Sequence, residues 1–185
     1  MTDTRPHTRL RTVGPGYTMI ELIMVVTTVA IVAALAVPML GGTANSRLAA
    51  AARVLAADID HARVASITRA DQPTVVVFID EGKGYQLAYA HDTDEPIGHP
   101  IDHRPYKVRF GVGQAKHLVG VTVDSSAIES STIDGEPVLR FGRFGQIQQA
   151  DDTPLPITLS VDNRSVTLTV DPTSGEVAVG TVQVH

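Results

Sequence analysis

A long uncharged apolar segment near the N-terminus constrains this chain more than any other feature. The 19 positions from Leu22 to Leu40 contain no charged residue. As a helix, this run would extend roughly 28 Å, close to the thickness of the hydrocarbon core of a bilayer. Glu21 stands directly before it, and a charged side chain within such a segment costs about 2.5–3.5 kcal/mol. The sequence therefore predicts a membrane anchor with one carboxylate that has to be explained.

The charges upstream of this segment predict its orientation. Arg5, Arg9 and Arg11 are opposed only by Asp3, so the N-terminus should stay in the cytoplasm and the rest should cross the membrane. The alternative is a secretory signal peptide, cleaved after Ala36, that releases a periplasmic binding module. The anchor is favoured because the apolar run exceeds the usual 7–15 residues of a signal peptide, which gains nothing from a glutamate.

The segment Gly16-Tyr17-Thr18-Met19-Ile20-Glu21-Leu22 resembles the prepilin peptidase recognition site of type IV pilins and type II secretion pseudopilins. The resemblance implies cleavage after Gly16, methylation of Tyr17 as the first mature residue, and Glu21 as the fifth. Pro38 would be the twenty-second, where this family commonly kinks its helix. Tyr17 departs from the usual phenylalanine but keeps an aromatic ring.

The resemblance also gives Glu21 a role in assembly. In such filaments the glutamate is thought to pair with the N-terminal amine of a neighbouring subunit, which removes much of the cost of placing a carboxylate in lipid. The alternative is that Glu21 extends to the membrane interface and selects no partner.

Composition limits the part of the chain beyond the anchor. The 185 residues allow one further domain; the absence of cysteine rules out disulfides and thiolate chemistry, and 43% hydrophobic but only 4% aromatic residues predict an aliphatic core. Loss of residues 1–16 removes three arginines and one aspartate, so the net charge changes from −5 to −7. Nucleic acid is therefore not expected as a partner.

A second helical segment is predicted after the anchor. Gly41-Gly42 interrupts the pattern just past Pro38, so a bend is expected there, with Asn45 or Ser46 capping a restart. From residue 47 to 69, an apolar stripe recurs at spacings of three and four and should pack on a sheet: Leu48, Ala52, Leu55, Ile59 and Ala62. Asp71-Gln72-Pro73 should end this helix.

The remainder of the chain reads as β-structure. Residues 91–105 are predicted to be a long exposed loop, and the predicted strands are Thr74–Ile79, Tyr85–Ala90, Tyr106–Phe110, Leu118–Val123, Pro137–Phe141, Gly145–Gln148, 157–161, 166–170 and Glu176–Val179. The expected fold is α+β and pilin-like, with a long N-terminal helix packed by its second half on antiparallel sheet. Its parts would be a leader (1–16), a transmembrane anchor (17–40), a periplasmic continuation of the helix (41–72) and a β-rich domain (73–185).

Two later segments are similar to the GspH/FimT group of minor pseudopilins and minor pilins: Phe141-Gly142-Arg143-Phe144-Gly145 and Asp171-Pro172-Thr173-Ser174-Gly175-Glu176-Val177. The resemblance implies a non-enzymatic subunit of the type II secretion pseudopilus, anchored in the inner membrane with its domain in the periplasm and assembled near the filament tip. Its partners would be other pseudopilins or pilins, prepilin peptidase and the inner-membrane assembly platform. A minor type IV pilin for pilus assembly or DNA uptake is the alternative within the family.

Other chemistry finds weak support in the sequence. One segment is rich in potential metal ligands, namely His91, Asp92, Asp94, Glu95, His99, Asp102 and His103. Pro100 opposes a helix there, so the spacing of these side chains is not fixed. A solvated loop is the preferred interpretation, and no metal or cofactor is expected. No catalytic motif such as G-x-S-x-G is present. Six cations could form a patch for DNA: Arg104, Lys107, Arg109, Arg140, Arg143 and Arg164. Scattered charges that keep the protein soluble are the preferred interpretation.

Overall fold

The computed structural model describes residues 18–128, 132–133, 135–148 and 152–185, with only the backbone of 32–43 and 132–133. These residues form an α+β fold with one long helix, α1 (Met19–Thr68), and two antiparallel sheets. The strands are β1 (Thr74–Ile79), β2 (Gly84–Tyr89), β3 (Asp92–Pro96), β4 (Lys107–Arg109), β5 (Thr122–Asp124), β6 (Thr132–Ile133), β7 (Glu136–Leu139), β8 (Leu155–Val161), β9 (Arg164–Val170), β10 (Val177–Val179) and β11 (Gln183–Val184). The chain divides after Leu40 into two units.

The first unit contains the N-terminal part of α1. The Thr18 hydroxyl accepts the Glu21 backbone N–H at 3.3 Å, which satisfies one donor of the first turn. The hydroxyls of Thr27 and Thr28 donate to the carbonyls of Ile23 and Met24, one turn earlier, so these polar groups are satisfied within the helix. Among the residues described here, no helical segment is both long enough and apolar enough to be a membrane span.

Helix α1 continues where the sequence predicts an interruption. The backbone is helical through Pro38, Gly41 and Gly42, so a separate restart at Asn45 or Ser46 is not seen. Glycine costs about 1 kcal/mol in a helix and does not forbid it. The bend at Pro38 stays a prediction.

In the second unit, the predicted apolar stripe of α1 forms part of the core. All five stripe residues are fully buried, together with Ala51 and inward-facing residues of both sheets. The helix ends at Thr68, before Asp71-Gln72-Pro73 as expected. Just before that end, the Ser66 hydroxyl donates to the Thr74 carbonyl at 2.8 Å and accepts the Thr74 N–H at 3.0 Å, which joins the helix to β1.

The first sheet has six described strands in the order β3-β2-β1-β7-β6, with β4 also paired to β2. All six residues of β1 are buried, as its β-branched run predicts. Val76 and Phe78 contact the main core, whereas Val75, Val77 and Ile79 join a smaller cluster on the opposite face. Strands β3 and β4 share the same side of β2, so together they form one edge of this sheet.

The second sheet has five described strands in the order β10-β9-β8-β5, with β11 also paired to β9. Its centre is the β8–β9 hairpin, paired from Leu155↔Val170 to Val161↔Arg164. The alternating residues of both strands point into the core, which confirms the meander predicted from period-two patterning.

Several strand predictions need correction. The segment 91–105 is largely exposed, as expected, but it is not only a loop, because β3 lies within it and pairs with β2. Backbone hydrogen bonds supply that pairing, so acidic side chains do not prevent it. Of Leu118–Val123, only the end forms a strand, and Gly145–Gln148 is reduced to one bridge between Phe141 and Ile147. The short strands β6 and β11 were not expected.

Candidate functional site

The most unusual polar group in the second unit is the Asp58 carboxylate on α1. Asp58 carries a carboxylate, yet it is only 9% exposed because it lies among the buried stripe residues. The Tyr85 hydroxyl of β2 donates to its Oδ2 at 2.5 Å, and the Tyr106 hydroxyl donates to its Oδ1 at 2.8 Å. Each carboxylate oxygen therefore has a tyrosine partner, as a buried acid requires. These bonds attach the helix to the sheet at two places.

Burial dominates the electrostatics of these three side chains. Loss of water raises the pKa of Asp58, and the two tyrosine hydrogen bonds counteract this only in part. Burial, followed by the neighbouring Asp58 charge, raises the pKa of Tyr85 well above its ordinary value of 10.0. The pKa of Tyr106 is raised too, again chiefly by burial. Both tyrosines therefore remain hydrogen-bond donors at physiological pH.

Two histidines flank the ring of Tyr106. The His61 ring is stacked on it with 5.9 Å between centroids, and the His99 ring is tilted at 4.6 Å. His99 Nδ1 also lies 3.2 Å from Asp102 Oδ1. Asp102 in turn accepts the Gln114 side-chain amide at 3.2 Å, so its charge is distributed over several contacts. The contacts of Tyr106 fix the segment before β4 against α1.

A cavity of about 650 Å³ opens beside this network. Its lining comes from α1, at Val54 and Asp58, and from residues 99–118, which include β4 and a short 3-10 helix (Gly113–Ala115). The volume lies within the range of small-ligand and side-chain pockets. This cavity is the candidate binding site of the second unit.

The structure describes only part of the predicted processing and assembly site. Gly16 and Tyr17 lie outside the described residues, as do Arg5, Arg9 and Arg11. Glu21 is exposed in the first turn of α1. Pro38 lies in α1, but its side chain is not described. Cleavage, methylation and pairing of Glu21 therefore stay predictions.

The histidine-rich segment does not converge on one point. His91 stacks on Tyr89 at 5.6 Å, whereas His99 and Asp102 contact each other beside Tyr106. Within the described residues, no group of three or more His, Asp or Glu side chains has the geometry of a metal site.

The fold groups three of the six cations considered for a DNA patch. Arg104, Lys107 and Arg109 all line the cavity. Arg143 instead lies over the Phe144 ring, 5.4 Å from its centroid, and Arg164 begins β9 in the other sheet. The structure therefore brings three of the six together.

The two segments that resemble the GspH/FimT group meet on α1. Arg63 Nη1 donates to the Ser174 carbonyl at 2.8 Å, and the Ile147 N–H donates to the Pro172 carbonyl at 2.9 Å. Gly175 has φ +69°, and a Cβ there would lie 2.0 Å from the Gly145 carbonyl oxygen. Only glycine fits this close approach. The two segments thus form a junction, consisting of Arg63, Gly145 and the turn Asp171–Gly175.

The sequence contains a signal that Asp58 is buried, although Asp58 is not among the residues of the predicted apolar stripe. Asp58 is three residues after Leu55 and four before Ala62, so it lies on the same helical face as the stripe. An acid on an apolar face indicates buried partners. No local pattern identifies Tyr106 as one of them, because it lies 48 residues further along the chain.

No family model, curated protein or solved structure matches the chain.

Proposed function

We propose that this chain is a minor pseudopilin, a non-enzymatic subunit of a type II secretion pseudopilus. The observation that carries the proposal is the surface of α1 between Met19 and Ile31. Every one of these residues is exposed, and Glu21 is the only charged residue among them. An apolar helix surface of this extent in water is unfavourable, so it requires lipid or neighbouring helices around it.

The pilin-like fold is part of the same proposal. A long N-terminal helix whose later residues pack on antiparallel sheet is the expected architecture of such a subunit. Support comes from the buried stripe of α1 and from the junction of Arg63, Gly145 and Asp171–Gly175, which gives a packing role to the two segments that resemble the GspH/FimT group.

The proposed mechanism has three steps. The leader cations orient insertion, and prepilin peptidase cleaves between Gly16 and Tyr17, which exposes a new amine. The anchor then associates with other pilin helices in the inner membrane, where Glu21 pairs with the amine of a neighbour. The β-rich domain projects into the periplasm near the filament tip and contacts other minor subunits or cargo.

The test is the incorporation of Glu21→Gln into filaments, with Glu21→Asp as the charge-preserving control. We expect Glu21→Gln to be inserted and cleaved normally but to enter filaments at least tenfold less, because a charged hydrogen bond of about 1.5–3 kcal/mol is lost. Glu21→Asp should retain much of the wild-type level. Incorporation of Glu21→Gln at the wild-type level would refute the pairing step.

N-terminal sequencing of the mature protein separates the proposal from its rival. A methylated Tyr17 at the N-terminus supports a pilin-type subunit. An N-terminus at Val37 would instead identify a periplasmic module released by signal peptidase. Co-purification with an outer-membrane secretin and its exported protein supports the pseudopilin, and co-purification with surface pili would favour a minor pilin.

A further inference from the structure

The cavity beside Tyr106 combines features of a binding site that the anchor mechanism does not use. It lies entirely in the second unit, between α1 and residues 99–118, and its lining includes three cationic residues: Arg104, Lys107 and Arg109. The whole chain has a net charge of −5. A local cluster of cations in an acidic protein indicates attraction for a negatively charged group.

The three cations differ in how far they are neutralised. Arg109 is paired with Asp80 at 2.8 Å, and Arg104 lies 3.8 Å from Asp102. Asp102 is also shared with His99 and Gln114. Lys107 is exposed and makes no ion pair with any residue in the described part of the chain. Its ammonium group is therefore available to an incoming anion.

The two carboxylates of the lining, Asp58 and Asp102, are engaged by groups other than Lys107. Asp58 is a largely buried residue of the lining, and both of its carboxylate oxygens accept hydrogen bonds from tyrosines. Asp102 already faces a histidine, an arginine and an amide. Among the described residues, Lys107 is therefore the cation of this lining that has no carboxylate partner, and the attraction for an anion rests on its ammonium group.

Part of the cavity lining is aliphatic. Ala115 and Leu118 are buried, whereas Val54 and Val112 are 39% and 62% exposed. Exposed valines in the same lining as the unpaired Lys107 suit a ligand with an aliphatic part beside its anionic group.

An extended peptide fits this site better than a compact anion. Strand β4 carries Lys107 and Arg109, lies at the sheet edge, and pairs only with β2 among the strands of the described residues. The edge of β4 is partly occupied by its own chain, because the Lys107 N–H donates to the Pro105 carbonyl at 2.8 Å and the Arg109 carbonyl accepts the Val112 N–H at 3.2 Å. The remaining outward groups of this edge can bond to an added peptide strand, while neighbouring pockets select its side chains. Nucleic acid fits less well, because the whole chain has a net negative charge that repels a polyanion and the cavity offers only three cations against it.

We infer that this cavity is a docking site for an extended segment of a partner protein that presents a carboxylate beside aliphatic side chains. Lys107 binds the carboxylate, and Val54 and Val112 contact the aliphatic groups. The segment lies along β4. This interaction involves the second unit only and does not depend on how the anchor is processed.

The test uses the full chain in a non-ionic detergent and a fluorescently labelled peptide, Ac-Thr-Val-Glu-Val-Thr, measured by fluorescence anisotropy. We expect saturable binding that weakens with added salt, and a loss of about fivefold to tenfold for the matching peptide with Gln in place of Glu. Lys107→Glu should weaken binding by a similar or larger factor. Lys83→Glu, which makes the same charge change at an exposed position outside the cavity, should leave affinity within about twofold.

Further measurements keep the inference open to refutation. Val112→Ser should weaken binding of the Glu and Gln peptides alike, because it removes an aliphatic contact and no charge. Equal binding to wild type and Lys107→Glu, or equal affinity for both peptides, would overturn the inference. Absence of saturable binding up to millimolar peptide would also overturn it. If isovalerate displaces the peptide completely at equal concentration, the site takes a small carboxylate and not a peptide.

Discussion

Replacement of Gly175 by alanine tests whether the junction on α1 depends on a close backbone approach. Gly175 has φ +69°, so any L-residue there pays the cost of left-handed backbone, about 1–2 kcal/mol. In addition, the new Cβ would lie 2.0 Å from the Gly145 carbonyl oxygen and 2.8 Å from Arg63 Cδ. Backbone must then move, and such overpacking typically costs a further 1–3 kcal/mol.

Gly113 provides a matched control for the left-handed backbone. It has φ +59°, but a Cβ there would meet nothing within 4 Å. Gly113→Ala should therefore lose only about 1–2 kcal/mol, whereas Gly175→Ala should lose about 2–5 kcal/mol. For a domain of this size, each kcal/mol lowers the Tm by about 2–4 °C.

The assay is thermal unfolding of the full chain in non-ionic detergent, followed by circular dichroism, with urea midpoints from tyrosine fluorescence. A second pair, Gly175→Asn and Gly113→Asn, reduces the backbone contribution because asparagine tolerates the left-handed region. The excess loss at Gly175 should persist in this pair. Equal losses at the two positions, in both pairs, would show that the close approach contributes nothing and would refute the reasoning.

Two further predictions concern the core and the buried carboxylate. Leu55→Ala should lower the free energy of unfolding by about 2–5 kcal/mol, because Leu55 is fully buried, whereas Val54→Ala at a 39% exposed neighbour should cost under about 1 kcal/mol; similar urea midpoints for the two variants would contradict this. Tyr85→Phe should cost about 1.5–3 kcal/mol at pH 8, since Asp58 loses one of its two donors. The pKa of Tyr85 is raised by burial, so the stabilisation that its hydroxyl contributes is complete below pH 10 and is lost as the pH rises further. The difference in unfolding free energy between wild type and Tyr85→Phe should therefore shrink between pH 10 and 11. A constant difference from pH 8 to 11 would refute this.

The parts of the fold that depend on local pattern were predictable from the sequence. The stripe from Leu48 to Ala62 repeats every three or four residues, and each of its members is buried. The alternation around Ile157 and Leu168 likewise specified which faces of β8 and β9 point inward. In both cases neighbours in sequence carry the whole signal.

The parts that depend on distant partners were not predictable. Strand β3 is mostly acidic and exposed, and only its pairing with Ala88 and Tyr89 makes it a strand. From the sequence, Arg104 and Lys107 are candidates only for a DNA patch. The cavity that they share depends on how residues 99–118 pack against α1. Long-range packing of this kind has no periodic signature in the chain.

The order in which the strands enter the two sheets has a consequence for folding during synthesis. Strand β5 precedes β7 in the chain, yet β5 belongs to the sheet with β8, and β7 belongs to the sheet with β1. A nascent chain that has emerged only as far as Leu139 can complete the pairing of β1 with β7, but β5 still lacks its neighbour. The second sheet cannot close on the helix stripe until β8 and β9 have been synthesised, at about residue 170, so the domain should complete its tertiary structure only late in synthesis.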